Sequence, residues 1–283
     1  MKPSRVYLDT NAFRYFGNAF EKTQLATDIR EKILISPLSA FEVFAQLGDE
    51  DETKADLVLR QIHALRNWTD PKHAVLLPWP DTMLQMLWSQ KHVEDDDFRE
   101  RMQQSFNVIL TADSLTPLKQ AALQQKKMMD DFKDAMAHDF KNMLDDLKKQ
   151  QGKKETQKAK LVDTTAPWFN GIAKRAKVDA NSKKIPEAES LLGAYHEFEQ
   201  SKLQTALLIP KYNPLSHKNR NDIIDSEQLI YLGDPSLCML TADKAIKSKV
   251  VKSEQAARII VATPENLRDA TKAEAVLRNS LGT

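Results

Sequence analysis

The sequence predicts an α/β fold: a central parallel sheet covered by helices and interrupted by a large all-helical insertion. Three observations carry this. Short apolar runs of strand character recur near both ends of the chain: SRVYL at 4–8, KILIS at 32–36, SLCMLTAD at 236–243 and ARIIVATPENL at 257–267. Helix signals follow the first, second and fourth of these, and such alternation indicates parallel strands joined by crossovers. Between about Thr82 and Leu207 the texture changes to helix formers, and only seven glycines in 283 residues favour long helices over a loop-rich all-β fold. The expected organisation is an α/β domain built from 1–81 and 208–283, with 82–207 as the insertion.

Taken in order, residues 4–8 read as a strand, and Asp9-Thr10-Asn11 opens a helix with an Asx or Thr cap on its free N–H groups. KILIS is a second buried strand, closed by Pro37. SAFEVFAQL (39–47) spaces Phe41, Phe44, Ala45 and Leu47 as a helix does, with Ser39 as N-cap and Glu42 in capping-box position. Residues 53–67 continue as an amphipathic helix. Leu118, Ala122, Met129, Phe132, Met136, Phe140, Met143, Leu144 and Leu147 recur at three- and four-residue intervals, which predicts one long helix with a buried Met/Phe stripe. The lysine-rich stretch at 148–160 reads as a helix end or exposed loop. DIIDSEQLIYLG (222–233) is a helix offering Ile224, Leu229, Ile230 and Leu232 to the core.

Composition narrows the function. Lys+Arg number 41 against Asp+Glu 40, a net charge of +1, so any site for a polyanion must be local. A single cysteine, Cys238, rules out an intramolecular disulfide framework and fits a reducing compartment; its apolar strand makes it a small core residue. No apolar leader precedes Asp9 and no run approaches a membrane span, so the expectation is a cytoplasmic protein without membrane contact.

Four carboxylates occupy comparable places. Asp9 and Asp243 follow apolar strands, with Thr241 two residues before the latter; Glu42 and Asp225 stand in the first turns of helices. In a parallel sheet, strand C-termini and the following helix N-termini share one edge, where open α/β sheets hold their ligands. Each acid alone is adequately explained as a helix cap or a dipole-favoured first-turn residue. Together, clustered carboxylates repel and need a compensating cation. An oxygen-only set points to Mg2+ or Mn2+ rather than zinc.

VYLDTNAF, SAFEVFAQL, NDIIDSEQLIYL and CMLTADKAI, in this order, resemble the four motifs of PIN-domain nucleases, and VATPENL resembles that family's last strand and Thr-Pro-Glu helix start. The resemblance covers roughly residues 1–70 and 210–283. It implies a PIN-like three-layer α/β/α fold and a Mg2+- or Mn2+-dependent endoribonuclease. Asp9, Glu42, Asp225 and Asp243 would then form the metal-binding set, with Asn11 and Thr241 as supporting polar residues. Asp222 competes for the third place. Asp225 is preferred because it sets Leu229 and Leu232 on the face adjoining the sheet and its spacing to Asp243 fits the family better, leaving Asp222 as a cap beside Asn221. The resemblance also admits a neutralising antitoxin or regulatory protein as partner, a homodimer, and, as other outcomes, a DNA- or structure-specific nuclease or an inactive RNA- or protein-binding scaffold. It says nothing of the helical insertion.

Substrate phosphates need cations near the acids. Arg14 lies one turn beyond Asn11, Lys244 follows Asp243, and NPLSHKNRND (213–222) reads as a basic loop that brings His217, Lys218 and Arg220 to the rim. A second basic tract at Lys174, Arg175, Lys177, Lys183 and Lys184 is a weaker candidate. Trp79, Trp88 and Trp168 are expected to pack rather than to stack on bases.

Overall fold

The computed structural model describes residues 2–69, 76–89, 96–152, 165–209 and 211–283. Four strands, β1 (Arg5–Leu8), β2 (Ile33–Ile35), β3 (Leu237–Thr241) and β4 (Ile259–Val261), form one parallel sheet in the order β2-β1-β3-β4. The mixed α/β class and the parallel sheet are those expected from the alternation of strands and helices. Val6 pairs with Ile33 on one side and Cys238 on the other; Leu8 pairs with Ile35 and Leu240. The chain leaves β1 to one side for β2 and later returns to its other side as β3. The crevice beyond the C-termini of β1 and β3 is therefore a topological switch point, the usual ligand position in open α/β sheets.

Successive strand residues point to opposite faces, and each face has its own core. Val6, Leu8, Ile33, Ile35, Cys238 and Leu240 pack with Phe13 and Phe16 of helix Thr10–Ala19, Val43 of Pro37–Ala45, Ile62 of Glu52–His63 and Leu277 of Ala270–Leu281. Tyr7, Leu34, Leu237 and Met239 pack with Leu84 and Trp88 of Pro80–Ser89, Phe169 of Thr165–Arg175, Phe198 of Ile185–Leu208 and the turn Leu229–Gly233. Each such side chain contributes roughly 1.5–3 kcal/mol when fully buried. The segment 82–207 supplies both cores, with Phe106 and Ile109 on the first face and Trp88, Ile172 and Phe198 on the second. Its long helix, Lys119–Gly152, buries Ala122, Met129 and Leu144 of the expected stripe and leaves Met143 exposed.

Local details depart from the sequence reading at two helix starts. The second motif helix runs Pro37–Ala45 after Ser36, so Ser39 is not its cap and Glu42 closes no capping box. Proline is preorganised for the first helical position, and Ser39 instead donates its hydroxyl to Leu8 O at 3.0 Å, tying the helix to the end of β1. The third motif helix begins at His217 with Ser216 as cap, so NPLSHKNRND is largely helix and Asp222 lies mid-helix. Residues 153–160 of the lysine-rich stretch lie outside the described set. Helix Thr10–Ala19 approaches Glu52–His63 so closely at Gly17 that a Cβ there would stand 2.6 Å from Gln61 Cβ.

Candidate functional site

Asp9 ends β1 and opens the following helix. Its backbone N–H bonds Leu240 O at 3.1 Å, and its Oδ1 accepts the Ala12 N–H at 2.6 Å as the helix N-cap. Its Oδ2 accepts the Thr241 hydroxyl, and the same hydroxyl oxygen accepts the Asp243 backbone N–H at 2.8 Å. Asp243 in turn caps Lys244–Lys249 through the Ala245 N–H at 2.7 Å. The capping role and the site role therefore coincide in both aspartates, because strand ends and helix starts share one edge of the sheet.

Asp225 reaches this edge from helix His217–Gln228, half-buried, and its carboxylate receives no hydrogen bond among the described residues. Burial first, then the negative charges of Asp9, Glu42, Asp243 and Asp222, push its pKa well above the usual carboxylate range. Asp9, only 2% exposed, is pushed up to about 7 by burial; Thr241 and the Ala12 N–H oppose the rise, and Asp243 and Glu42 add to it. Asp225 thus lies in the field of all four neighbouring acids.

The remaining acids are engaged. Glu42 Oε2 accepts the Thr10 hydroxyl at 2.5 Å, and Glu42 Oε1 pairs with Lys133 Nζ at 2.5 Å. Asp222 pairs with Lys249 at 2.8 Å, which explains why it is not a cap: its side chain points across to the Lys244–Lys249 helix.

These groups line a cleft of about 940 Å³. Asp9, Asn11, Arg14, Glu42, Asp225 and Asp243 line it, together with Lys211, Tyr212, Asn213 and Asn219. Arg14 and Lys211 make no ion pair among the described residues, whereas Lys249 is committed to Asp222 and Lys202 to Glu199. Arg220 does not line the cleft: it pairs with Asp134. Lys244 is exposed outside it, and the side chain of Lys218 lies outside the described set. Arg175 of the second basic tract is consumed by Glu227 and Asp81. The tryptophans pack as expected: Trp79 between Phe41 and Phe132, Trp88 against Phe169, Trp168 on His196.

Sequence reasoning missed Lys133 and Lys211. A signal for the first existed: Lys133 lies four residues after Met129 and beside Phe132, in the core-facing register of the long helix, where a lysine needs a partner.

Among the described residues, no three histidine, cysteine or acidic side chains are grouped so as to hold a metal ion by themselves. The donor chemistry nonetheless fits a hard cation. All donors are oxygens, Asp225 carries a half-buried carboxylate with no ion-pair partner among the described residues, and Mg2+ is commonly held by one or two carboxylates with water completing its shell. No helix among the described residues is long and apolar enough to cross a membrane. Set against protein-family models, curated proteins and solved structures, the chain matches none.

Proposed function

We propose that this chain is a Mg2+- or Mn2+-dependent endoribonuclease with a PIN-like three-layer α/β/α core, its cation held by Asp225 together with Asp9 and Asp243. The observation that carries the proposal is Asp225: a half-buried carboxylate without a hydrogen-bond donor among the described residues, facing other acids at the sheet's switch point. A fold does not retain such repulsion for stability, since an apolar or amide side chain would cost less there. Perturbed, clustered acids in a cleft mark a functional site.

The chain's own residues set the geometry. Thr241 and the Ala12 N–H orient Asp9, and the Ala245 N–H orients Asp243, so both carboxylates are aimed before any ligand arrives. Asn11 is placed to hydrogen-bond a phosphate, and Arg14 and Lys211 supply positive charge along the cleft. Phosphate contacts of this kind give affinity without base preference. When bound, the cation supplies activation of water and stabilisation of charge on the leaving oxygen, so in-line hydrolysis leaves a 5′-phosphate and a 3′-hydroxyl.

One observation favours a second reading, a scaffold that binds RNA or protein without cutting: Glu42 is already neutralised by Lys133. The test incubates the protein with single-stranded RNA, structured RNA and single-stranded DNA, each with Mg2+, Mn2+ or EDTA. Metal-dependent cleavage of RNA with 5′-phosphate products supports the nuclease. Cleavage confined to DNA moves the substrate class, and retention of RNA without cleavage supports the scaffold.

A further inference from the structure

The long helix Lys119–Gly152 carries into the acidic edge a charge that none of the four motifs supplies. Lys133 lies near its middle with a side chain only 12% exposed. Its Nζ stands 2.5 Å from Glu42 Oε1 and 3.1 Å from Asn221 Oδ1. The next residue, Asp134, pairs with Arg220 of helix His217–Gln228. One turn earlier, Met129 packs with Leu38 and Ile224, with Phe41, Trp79 and Phe132 against them. Apolar packing and a second ion pair therefore fix the position of Lys133, which is unusual for so flexible a side chain.

The consequence falls on Glu42. One of its oxygens accepts Thr10 and the other accepts Lys133, so both face protein donors. Asp225 has no donor among the described residues, and Asp243 receives one backbone N–H. Asp9 accepts the Ala12 N–H and the Thr241 hydroxyl, both uncharged donors, so among the described residues Glu42 alone of the four acids expected to act alike is paired with a charge, and that charge comes from the helical segment.

Resting on the nuclease reading above, we propose that Lys133 is a positioning residue: it removes Glu42 from cation coordination and leaves Asp9, Asp225 and Asp243 as the coordinating set. The helical segment then completes the site. Without Lys133, a cation in the cleft faces a fourth free carboxylate; with it, the ammonium holds that place permanently.

The test is a charge-balanced cycle in the full chain, with Mn2+ binding followed by calorimetric titration. The proteins are wild type, Lys133→Met, Glu42→Gln/Lys133→Met and Asp225→Asn, with Lys133→Gln as a second version of the lysine change and a melt in EDTA confirming that each is folded. Freeing Glu42 in Lys133→Met should tighten Mn2+ binding by roughly fivefold or more. The double variant, which restores the charge balance, should return to within about threefold of wild type. A double variant that binds more weakly than that would make Glu42 a ligand and overturn the proposal, as would unchanged affinity in both lysine variants. Asp225→Asn separates the two levels. If wild type binds Mn2+, Asp225→Asn loses about tenfold or more, and the lysine variants do not move, only the role of Lys133 fails. If wild type takes up no Mn2+ at millimolar concentration, the nuclease reading fails and takes this inference with it.

Discussion

Thr241 holds Asp9 and Asp243 to one hydroxyl: its O–H donates to Asp9 Oδ2 while its oxygen accepts the Asp243 backbone N–H at 2.8 Å. Thr241 is fully buried at the end of β3 and has no other means of satisfying either group. Replacing it by valine keeps the shape and removes the hydroxyl. The Asp9 carboxylate then loses a donor and the Asp243 N–H an acceptor, at a cost of about 1–3 kcal/mol. Because the Thr241 bond lowers the Asp9 pKa, Thr241→Val should also raise it further, measurable by carbon-detected NMR titration. Cleavage should fall with it, since both acids lose their aim.

Stability should depend on pH through Asp9. Its folded pKa, about 7, lies above the ordinary 3.8. A raised carboxyl favours the fold when protonated, so its contribution is fully present below the unfolded value and is lost as pH rises toward the folded one. Metal-free protein should therefore lose stability between about pH 4 and pH 7, by up to a few kcal/mol from this group. Asp225 acts in the same direction. Asp9→Asn should flatten the profile and melt no lower than wild type at pH 8 in EDTA, because the amide oxygen still accepts the Ala12 N–H.

Arg14 and Lys211 are the cleft cations without ion-pair partners among the described residues, so they should contribute to substrate binding additively. Each replacement by glutamine should weaken RNA binding several-fold and reduce the slope of log K against log salt by about one. Lys249→Gln, which releases Asp222 into the cleft, should weaken binding more than a lost exposed charge would. Fluorescence anisotropy over a salt series checks all three.

The helical segment should be bound to helix His217–Gln228 by Arg175. Its guanidinium reaches Glu227, whose side chain is 2% exposed, together with Asp81 and the Tyr195 hydroxyl. Arg175→Met leaves Glu227 buried without its charge partner and should cost about 3–5 kcal/mol. Arg175→Met/Glu227→Gln should recover part of that loss in urea melts, because the uncompensated charge is gone.

Gly17 should be intolerant for a different reason. A methyl group there meets Gln61 backbone and Cβ at under 3 Å, so Gly17→Ala must push the Thr10–Ala19 helix away from Glu52–His63. Despite the better helix propensity of alanine, Tm should drop, and the Asp9 cap moves with the helix.

Legibility in the sequence followed locality. Strand runs and the acids that end them depend on neighbours a few residues away, so β1 to β4 and the placing of Asp9 and Asp243 were readable from VYLDT and LCMLTAD. Cap identities were not: Ser36 and Ser216 open helices where Ser39 and Asp222 were expected, because Pro37 takes the first helical position after Ser36 and the Ser216 hydroxyl accepts the Asn219 N–H. The pairing of Lys133 with Glu42 spans 91 residues. Nothing local encodes it beyond a lysine in an apolar register. The same holds for Arg220, expected at the rim as part of a loop but drawn to Asp134 once its segment is helical.

The most direct test compares wild type and Asp225→Asn on a labelled single-stranded RNA with Mn2+, followed by EDTA. Wild type should cut, EDTA should stop it, and Asp225→Asn should fall by about a hundredfold or more while melting at or above the wild-type temperature in metal-free buffer. Cutting by Asp225→Asn at the wild-type rate, or cutting by wild type that persists in EDTA, would contradict the assignment of this acidic edge as the catalytic centre.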